Sequence, residues 1–243
     1  MINTVRNTVM AVLNKDNNGY VTPQEFNLFA KQAQLELFEE YFYSYNHWVN
    51  KKNGMFRNHM RQSNSGYADI PKQLAEVIDT FSLESAALAN VANVFTLPTD
   101  WYDITTINYN SIEVERVSQS KILNLLSSSL TTPTAAYPSY ILNGATAALT
   151  GNTVTVYPAT IVTGVTATYV RYPLDPKWTY STTLGGSPVF DQSAGDYQDF
   201  ELPLSDQVTL VLKILQYAGI NIREAEVTQF AGTEEGITDQ TES

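Results

Sequence analysis

One continuous apolar stripe, from Phe26 to Trp48, places the strongest constraint on how this chain folds. Its members recur at three- and four-residue steps, which is the period of one face of an α-helix. The pattern continues to Asn53-Gly54 and predicts a helix of about thirty residues, or ~45 Å at ~1.5 Å per residue. Because so long and wide a stripe needs partners along its length, we expect neighbouring helices or other subunits to cover it. The members of the stripe are Phe26, Phe29, Ala30, Ala33, Leu37, Tyr41, Tyr45 and Trp48.

The start of this helix is marked by the run Thr22-Pro23-Gln24-Glu25. This run has the pattern of a capping box with proline at the first helical position, which begins a helix without any metal. Upstream, four apolar side chains lie at helical spacing and predict a short amphipathic helix over residues 3–13, and they are Val5, Val9, Val12 and Leu13. We therefore expect an N-terminal hairpin of a short helix and a long one.

The turn between the two helices also resembles the calcium loop of an EF-hand. It has glycine at position 6 and glutamate at position 12, with oxygen-bearing residues at positions 1, 3, 5 and 9. Only Asp16 and Glu25 supply charge, so any calcium binding should be weak. We find no second loop in the sequence, and we favour a metal-free turn over a calcium site. In loop order, the matching residues are Asn14, Asp16, Asn18, Gly19, Thr22 and Glu25.

The rest of the chain predicts a change from helix to strand and back to helix. Runs rich in β-branched and aromatic residues begin at Val94, and Asn143-Gly144 has the sequence of a two-residue hairpin turn. A short helix is expected at residues 120–130, and a long surface excursion at residues 173–199, held by Trp178 and Phe190. We divide the chain into an N-terminal helical region (1–93), an antiparallel β module with long loops (94–202), C-terminal helices (203–231) and an acidic, flexible tail (232–243).

These elements predict an α+β fold in which the long-helix hairpin and the C-terminal helices pack with a central antiparallel β-sheet or sandwich module. The first C-terminal helix should begin after Pro203 and end at Gly219, and a second should cover residues 222–230. Neither a secretory signal at the start nor an apolar run long enough to span a membrane is evident.

Charge and composition disfavour several classes of function. The chain has no cysteine, which excludes disulfides and thiolate chemistry, and its net charge is −11. The acidity lies downstream of Arg61, and residues 224–243 carry six acidic side chains and no basic one. Tight binding to nucleic acid is therefore disfavoured. Four cationic side chains lie near the C-terminal end of the long helix, where they would interact favourably with the helix dipole or form a contact patch for an acidic partner. They are Lys51, Lys52, Arg57 and Arg61.

Candidates for catalysis are few, and we expect no enzyme. His47 and His59 lack metalloprotease spacing, and we interpret them as structural or surface residues. The segment Gly185-Gly186-Ser187 lacks the strand–turn–helix setting of a phosphate loop. Two carboxylate pairs are more readily explained as hydrated surface residues than as acid–base pairs, and these are Asp100 with Asp103 and Glu113 with Glu115. We assign no catalytic, cofactor or metal residue.

The order of several short motifs resembles one known family. The motifs are Gly19-Tyr20-Val21-Thr22-Pro23-Gln24-Glu25-Phe26-Asn27 with Ala33-Gln34, Leu97-Pro98-Thr99-Asp100-Trp101-Tyr102, Tyr169-Val170-Arg171-Tyr172-Pro173, Phe200-Glu201-Leu202-Pro203, and Leu215-Gln216-Tyr217-Ala218-Gly219-Ile220. Together they look like the neck ring, or head-to-tail connector, proteins of podovirus-like tailed bacteriophages, including the crAss-like group.

The resemblance implies a structural virion protein, assembled in the host cytoplasm, that forms a ring of identical subunits, typically twelve. Such a ring docks beneath the portal protein, contacts neighbouring neck and tail proteins, and lines the channel through which DNA passes without specific binding. The family carries no catalytic motif and needs no cofactor or membrane. The alternatives are a single EF-hand-like calcium-binding protein, another phage tail or cargo protein, and, third, an unrecognised hydrolase.

Overall fold

The structure is a computed structural model that describes residues 1–13, 21–57, 70–91, 93–144, 151–183 and 185–222. It contains both helices and sheets, which confirms the predicted α+β class. The helices in these residues are α1 (Ile2–Leu13), α2 (Pro23–Arg57), α3 (Ile70–Asp79), α4 (Gln119–Ser127) and α5 (Gln207–Ile222), with a short 3-10 helix at Leu204–Asp206. The strands are β1 (Ser82–Glu84), β2 (Asn90–Val91), β3 (Val94–Thr96), β4 (Trp101–Tyr109), β5 (Ile112–Glu113), β6 (Glu115–Arg116), β7 (Ser139–Asn143), β8 (Thr153–Tyr157), β9 (Val165–Arg171), β10 (Tyr180–Thr182) and β11 (Pro188–Phe190).

The chain forms two compact units whose boundaries differ from the sequence-based division. The helical unit joins Met1–Val77 to Pro173–Ser243, and the β unit is Ile78–Tyr172. The excursion at residues 173–199, which the sequence groups with the β module, therefore belongs to the helical unit. Its side chains and backbone contact α1 and α2 through bonds that span more than a hundred residues, which explains why local composition does not show the boundary.

Three helices form the core of the helical unit. Helix α2 begins at Pro23 as predicted and continues to Arg57, beyond the predicted end at Asn53-Gly54. Helix α5 packs against both α1 and α2. Lys213 of α5 lies 3.3 Å from a carboxylate oxygen of Glu36 and 3.5 Å from one of Glu40, while Tyr217 stacks on Phe29. Since later residues of α5 contact earlier residues of α2, the two helices run antiparallel. The Lys213 side chain is 3% exposed and its charge is balanced by two carboxylates that remain partly in water.

Trp178 fixes the excursion to the helices, as the sequence predicts. Its side chain is 2% exposed and stacks with both Tyr180 and Phe190. The indole Nε1 donates a hydrogen bond to Asn3 Oδ1 at 3.1 Å, and the Arg6 guanidinium lies 3.8 Å from the ring centroid. This arrangement combines apolar burial, a satisfied indole N–H and a cation–π contact.

Two amide side chains of α2 hold the backbone of the same segment. Asn27 Oδ1 accepts a bond from the Trp178 backbone N–H at 2.8 Å, and Asn27 Nδ2 donates to the Trp178 carbonyl at 3.2 Å. Buried Gln34 donates to the Leu174 carbonyl at 2.8 Å and accepts from the Glu201 N–H at 3.1 Å. Gln34 thereby joins both ends of the excursion to one position on the helix.

Asp199 joins the end of the excursion to the start of α1. One of its oxygens accepts a bond from the Met1 ammonium and the other from the Ile2 backbone N–H, both at 2.7 Å. The Phe200 N–H donates a third bond, at 2.9 Å. Burial raises the pKa of Asp199, but these bonds and the ammonium charge lower it more, so the pKa lies below its ordinary value of 3.8.

The β unit consists of two sheets that share one core. A four-stranded sheet has the order β1-β9-β4-β5, and a five-stranded sheet has the order β2-β3-β8-β7-β6. All neighbours in these sheets are antiparallel except β6 and β7, which are parallel. Ile107 and Tyr169 from the first sheet pack with Phe95 and Val154 from the second, giving the expected sandwich.

Two local predictions are wrong. Asn143 pairs with Thr153, so β7 and β8 are joined by residues 144–152 and not by a two-residue Asn-Gly turn. Asn143 is instead a strand residue whose amide donates to Thr155 Oγ1 at 2.8 Å. Helix α5 does not end at Gly219 but continues to Ile222, because packing tolerates a glycine inside a buried helix. Residues 223–243, which include most of the second predicted helix and the acidic tail, lie outside the described residues.

Replacing Trp178 tests whether its ring holds the excursion. We expect Trp178→Ala to lower the free energy of unfolding by about 3–5 kcal/mol, since it leaves a cavity and removes the cation–π contact. Urea denaturation followed by circular dichroism measures this change. The matched control is Tyr137→Ala, whose side chain is 82% exposed and whose effect should stay within about 0.5 kcal/mol. Equal midpoints for the two variants would contradict the assignment.

Asp199 should make the free energy of unfolding depend on pH in the acidic range. The pKa of Asp199 is lower in the folded chain than in the unfolded chain. Its contribution to the free energy of unfolding is therefore fully present above the ordinary pKa and is lost as the pH falls through the pKa of the folded state. The stability difference between the unaltered chain and Asp199→Asn should therefore be largest near neutral pH and shrink below about pH 4. Denaturation curves at several pH values measure it. Asp175→Asn, at an exposed ion pair with Lys31, should show little pH dependence of this kind.

Candidate subunit interfaces

The predicted capping box is present at the start of α2. Glu25 Oε2 accepts bonds from the Thr22 N–H at 2.9 Å and from the Thr22 hydroxyl at 2.8 Å. In return, the Glu25 N–H donates to Thr22 Oγ1 at 3.2 Å. Thr22 and Glu25, which would be positions 9 and 12 of a calcium loop, therefore satisfy each other without a cation.

The remaining candidate ligands of the calcium loop lie in the turn before Val21. Asn14, Asp16 and Asn18 lie outside the described residues. Among the residues that the structure does describe, no three His, Cys, Asp or Glu side chains form a group that could hold a metal ion. Calcium binding at this turn stays a hypothesis.

The second half of α2 presents aromatic side chains that its own unit does not bury. Residues 41–50, here called the aromatic segment, contain five aromatic rings and no Asp, Glu, Lys or Arg. The face of α2 that buries Ala30, Leu37 and Phe38 continues one and two turns later in this segment, but there its side chains are only partly covered. None of the aromatic segment is buried, and Tyr43 is 74% exposed.

The aromatic segment is ordered by contacts between its own side chains. The His47 ring stacks on Tyr43 at 6.4 Å and meets the edge of Trp48 at 6.2 Å. Lys51 Nζ lies 4.4 Å from the Trp48 ring centroid. His47 is thus an exposed residue among aromatic rings, in agreement with the surface role expected from the sequence. His59 and Arg61 lie outside the described residues.

The β unit carries a second exposed apolar surface, on and after α4. One side of α4 is held in the core, where Ile122 packs with Val117 and Ile141. The other side presents leucines to solvent, and the chain after the helix adds further exposed apolar side chains. We call this surface the leucine face, and it consists of Leu123 (71% exposed), Leu126 (39%), Leu130 (92%) and Tyr137 (82%).

The leucine face lies in the longest charge-free part of the sequence. Between Lys121 and Arg171 there is no Asp, Glu, Lys, Arg or His. Surface that lacks charge and exposes large apolar side chains is the kind that protein interfaces use. The periodicity of α4 did not reveal this surface, but the absence of charge from residues 122–170 was a signal that sequence inspection could have used.

The candidate carboxylates do not form an enclosed site. Asp100, Asp103, Glu113 and Glu115 are all exposed. Asp100 accepts a bond from the Tyr169 hydroxyl at 3.3 Å, and burial together with this carboxylate raises the pKa of Tyr169. The Gly185-Gly186-Ser187 segment lies in the turn between β10 and β11, where the Gly186 N–H donates to the Thr183 carbonyl at 2.8 Å. It is a hairpin turn and has no helix behind it.

A shallow polar depression on the β unit was not foreseen. It has a volume of about 530 Å³, and Glu84, Asn108, Asn110, Ser111, Gly164 and Thr166 line it. Gly164 has φ +76, and a Cβ there would lie 2.7 Å from Asn110 Oδ1. The depression holds a single carboxylate and none of the residues singled out from the sequence.

No protein-family model matches the chain, and no curated protein matches it either. Within the described residues, no helix has the length and apolar character needed to cross a membrane.

Two substitutions distinguish a helix-capping role of Thr22 and Glu25 from a role in calcium binding. Thr22→Ala should lower the free energy of unfolding by about 1 kcal/mol, because an N-cap side chain is lost. Glu25→Gln should leave it within about 0.5 kcal/mol, because glutamine also serves as the third helical residue of a capping box. If calcium binds, titration calorimetry of the unaltered chain should give heat that Glu25→Gln abolishes. No response at millimolar calcium would end the calcium hypothesis.

Proposed function

We propose that this chain is a structural virion protein that forms a homo-oligomeric ring, of twelve copies, in the neck of a tailed bacteriophage. The ring connects the portal to the tail and lines the channel through which DNA leaves the head. The observation that carries the proposal is the aromatic segment of α2, which contains no Asp, Glu, Lys or Arg and whose side chains are only partly covered in the single chain. Association with further copies would cover it.

The energetics of such a helix favour association. Each 100 Å² of apolar surface removed from water contributes roughly 2.5 kcal/mol, and one buried aromatic side chain accounts for about 150–250 Å². Aromatic enrichment and charge depletion are the compositional marks of interface cores, and the aromatic segment has both. Subunits arranged around a closed ring bury the same surface in every copy and leave no open end.

The motifs that resemble neck proteins also contact one another within each unit, which supports a structural role for them. In the β unit, the Tyr172 N–H donates to the Asp100 carbonyl at 2.8 Å, and the Tyr172 ring meets the edge of Tyr102 at 5.1 Å. In the helical unit, the Glu201 N–H donates to Gln34 Oε1 at 3.1 Å. In each unit, two motifs that are far apart in the sequence are thus in direct contact.

Charge suits a channel through which DNA slides without being held. With a net charge of −11, the chain repels DNA phosphates on average. Because it has few cationic side chains to displace counterions from DNA, its affinity for DNA should be low. The partners in this proposal are further copies of the chain, the portal protein and neighbouring neck or tail proteins. The proposal assigns no catalytic activity, cofactor or membrane contact to the chain.

Electron microscopy and light scattering test the proposal directly. By itself the unaltered chain should form a homo-oligomer whose scattering mass is a multiple of 27.1 kDa. Mixed with its portal protein, it should form rings with a central hole. The double variant Tyr45→Glu with Trp48→Glu should stay monomeric and keep its helical circular dichroism, because both side chains are only partly buried. Asn7→Glu, on the exposed side of α1, is the matched control and should assemble normally. An unaltered chain that remains monomeric even with portal would refute the ring.

A further inference from the structure

The polar depression of the β unit lies on the outer face of the four-stranded sheet, near the end where β4 turns into β5. Ile107 and Val165 pack in the sandwich core, so their neighbours Asn108 and Thr166 project from the opposite face of the sheet. Asn108 and Thr166 are paired across β4 and β9, which places their side chains next to each other. Glu84 of β1 lines the same depression, which therefore crosses three neighbouring strands.

A two-residue turn forms one side of the depression. Tyr109 pairs with Ile112, so Asn110 and Ser111 alone make the turn between β4 and β5. Both have positive φ, 47° for Asn110 and 67° for Ser111, as a type I′ turn requires. Glycine adopts this conformation most readily, whereas serine adopts it with backbone strain. Residues under such strain cluster at ligand sites, and Ser111 lines the depression.

Gly164 gives the Asn110 side chain its place. A Cβ at Gly164, which has φ +76°, would lie 2.7 Å from Asn110 Oδ1. The Asn110 backbone N–H also donates to the Gly164 carbonyl at 3.3 Å. Any other residue at this position would displace the amide, so glycine allows the Asn110 side chain to lie against the wall of the depression.

The polar side chains that line the depression are not used by the fold. Among the described residues, none of them forms a side-chain hydrogen bond or an ion pair with another residue. They supply one carboxylate, two primary amides and two hydroxyls, which together offer both donors and acceptors. They are Glu84, Asn108, Asn110, Ser111 and Thr166.

The chemistry of this lining narrows the choice of ligand. Among the described residues that form it, none is cationic and Glu84 carries a negative charge, so an anion would be repelled. None is aliphatic or aromatic, so an apolar ligand would bury little apolar surface. A bare metal ion would meet one carboxylate in a space of about 530 Å³. An organic cation only donates hydrogen bonds and would leave the amide donors unmatched.

We propose that the depression binds a small neutral saccharide. The hydroxyls of a sugar donate and accept hydrogen bonds at the same time, which matches a lining of carboxylate, amide and hydroxyl groups. The volume of about 530 Å³ lies within the range of small-molecule sites, ~300–1,000 Å³. Because the depression is shallow and offers few apolar contacts, we expect a dissociation constant of about 1 mM. All of the lining residues belong to the β unit, so this binding does not depend on the ring.

Saturation-transfer difference NMR on the full chain tests the proposal, with free lactose, maltose, cellobiose and N,N′-diacetylchitobiose as probes. At least one probe should receive saturation, and titration should show its affinity falling about tenfold in Glu84→Ala, which removes a charged acceptor. Glu115→Ala, at an exposed carboxylate of the other sheet, is the matched control and should bind normally. The same disaccharides coupled to a biosensor surface distinguish a displayed glycan from a free sugar.

Ser111→Gly separates a ligand-binding role from a structural one. Relief of the strained φ should raise the melting temperature by about 2–4 °C. Loss of the hydroxyl should at the same time weaken saccharide binding several-fold. A residue present only for the fold would not produce these opposite effects.

The proposal is overturned if no saccharide binds in either free or immobilised form. Binding that both Glu84→Ala and Ser111→Gly leave unchanged also overturns it, because the depression is then not the site. A response to calcium chloride or putrescine, without one to any saccharide, would assign the depression to a cation instead. None of these results affects the ring proposal, which rests on the aromatic segment of α2.

Discussion

Burial of the apolar stripe of α2 is the constraint on which the helical unit depends. A 35-residue helix cannot be covered by one short neighbour, and the chain packs α5 and the excursion against its first half. The last buried positions of α2 in the described side chains are Leu37 and Phe38. Beyond them the stripe continues with aromatic rings that are only partly covered within the chain, and it is this part of α2 that the proposed ring would cover.

Polar side chains fix the course of the excursion more strictly than apolar burial could. Asn27 and Gln34 each form hydrogen bonds with backbone groups of the excursion. Leaving such a buried amide without partners would destabilise the fold by more than a single hydrogen bond stabilises it. Apolar contacts tolerate sliding, whereas a donor and an acceptor on one side chain define a single position. The excursion has little regular structure, yet its path is set by the helix beside it.

The sequence predicts well what is local and periodic. The extent of α2, the capping box of Thr22 and Glu25, and the anchoring role of Trp178 all follow from patterns of neighbouring residues. The Asn143-Gly144 turn and the end of α5 at Gly219 were mispredicted because strand register and helix packing overrode local preference. The boundary at residue 173 depends on contacts between distant residues, which no window of the sequence contains.

The buried Lys213 has a mechanical consequence for the packing of α5 on α2. Its ammonium lies between Glu36 and Glu40, which are one helical turn apart on α2. A shift of α5 by one turn, ~5.4 Å, would therefore keep the lysine beside a carboxylate. The charge alone resists separation of the two helices but not sliding along their axes. Resistance to sliding comes instead from Tyr217, whose ring stacks on Phe29 and whose hydroxyl donates to Glu36 at 3.0 Å.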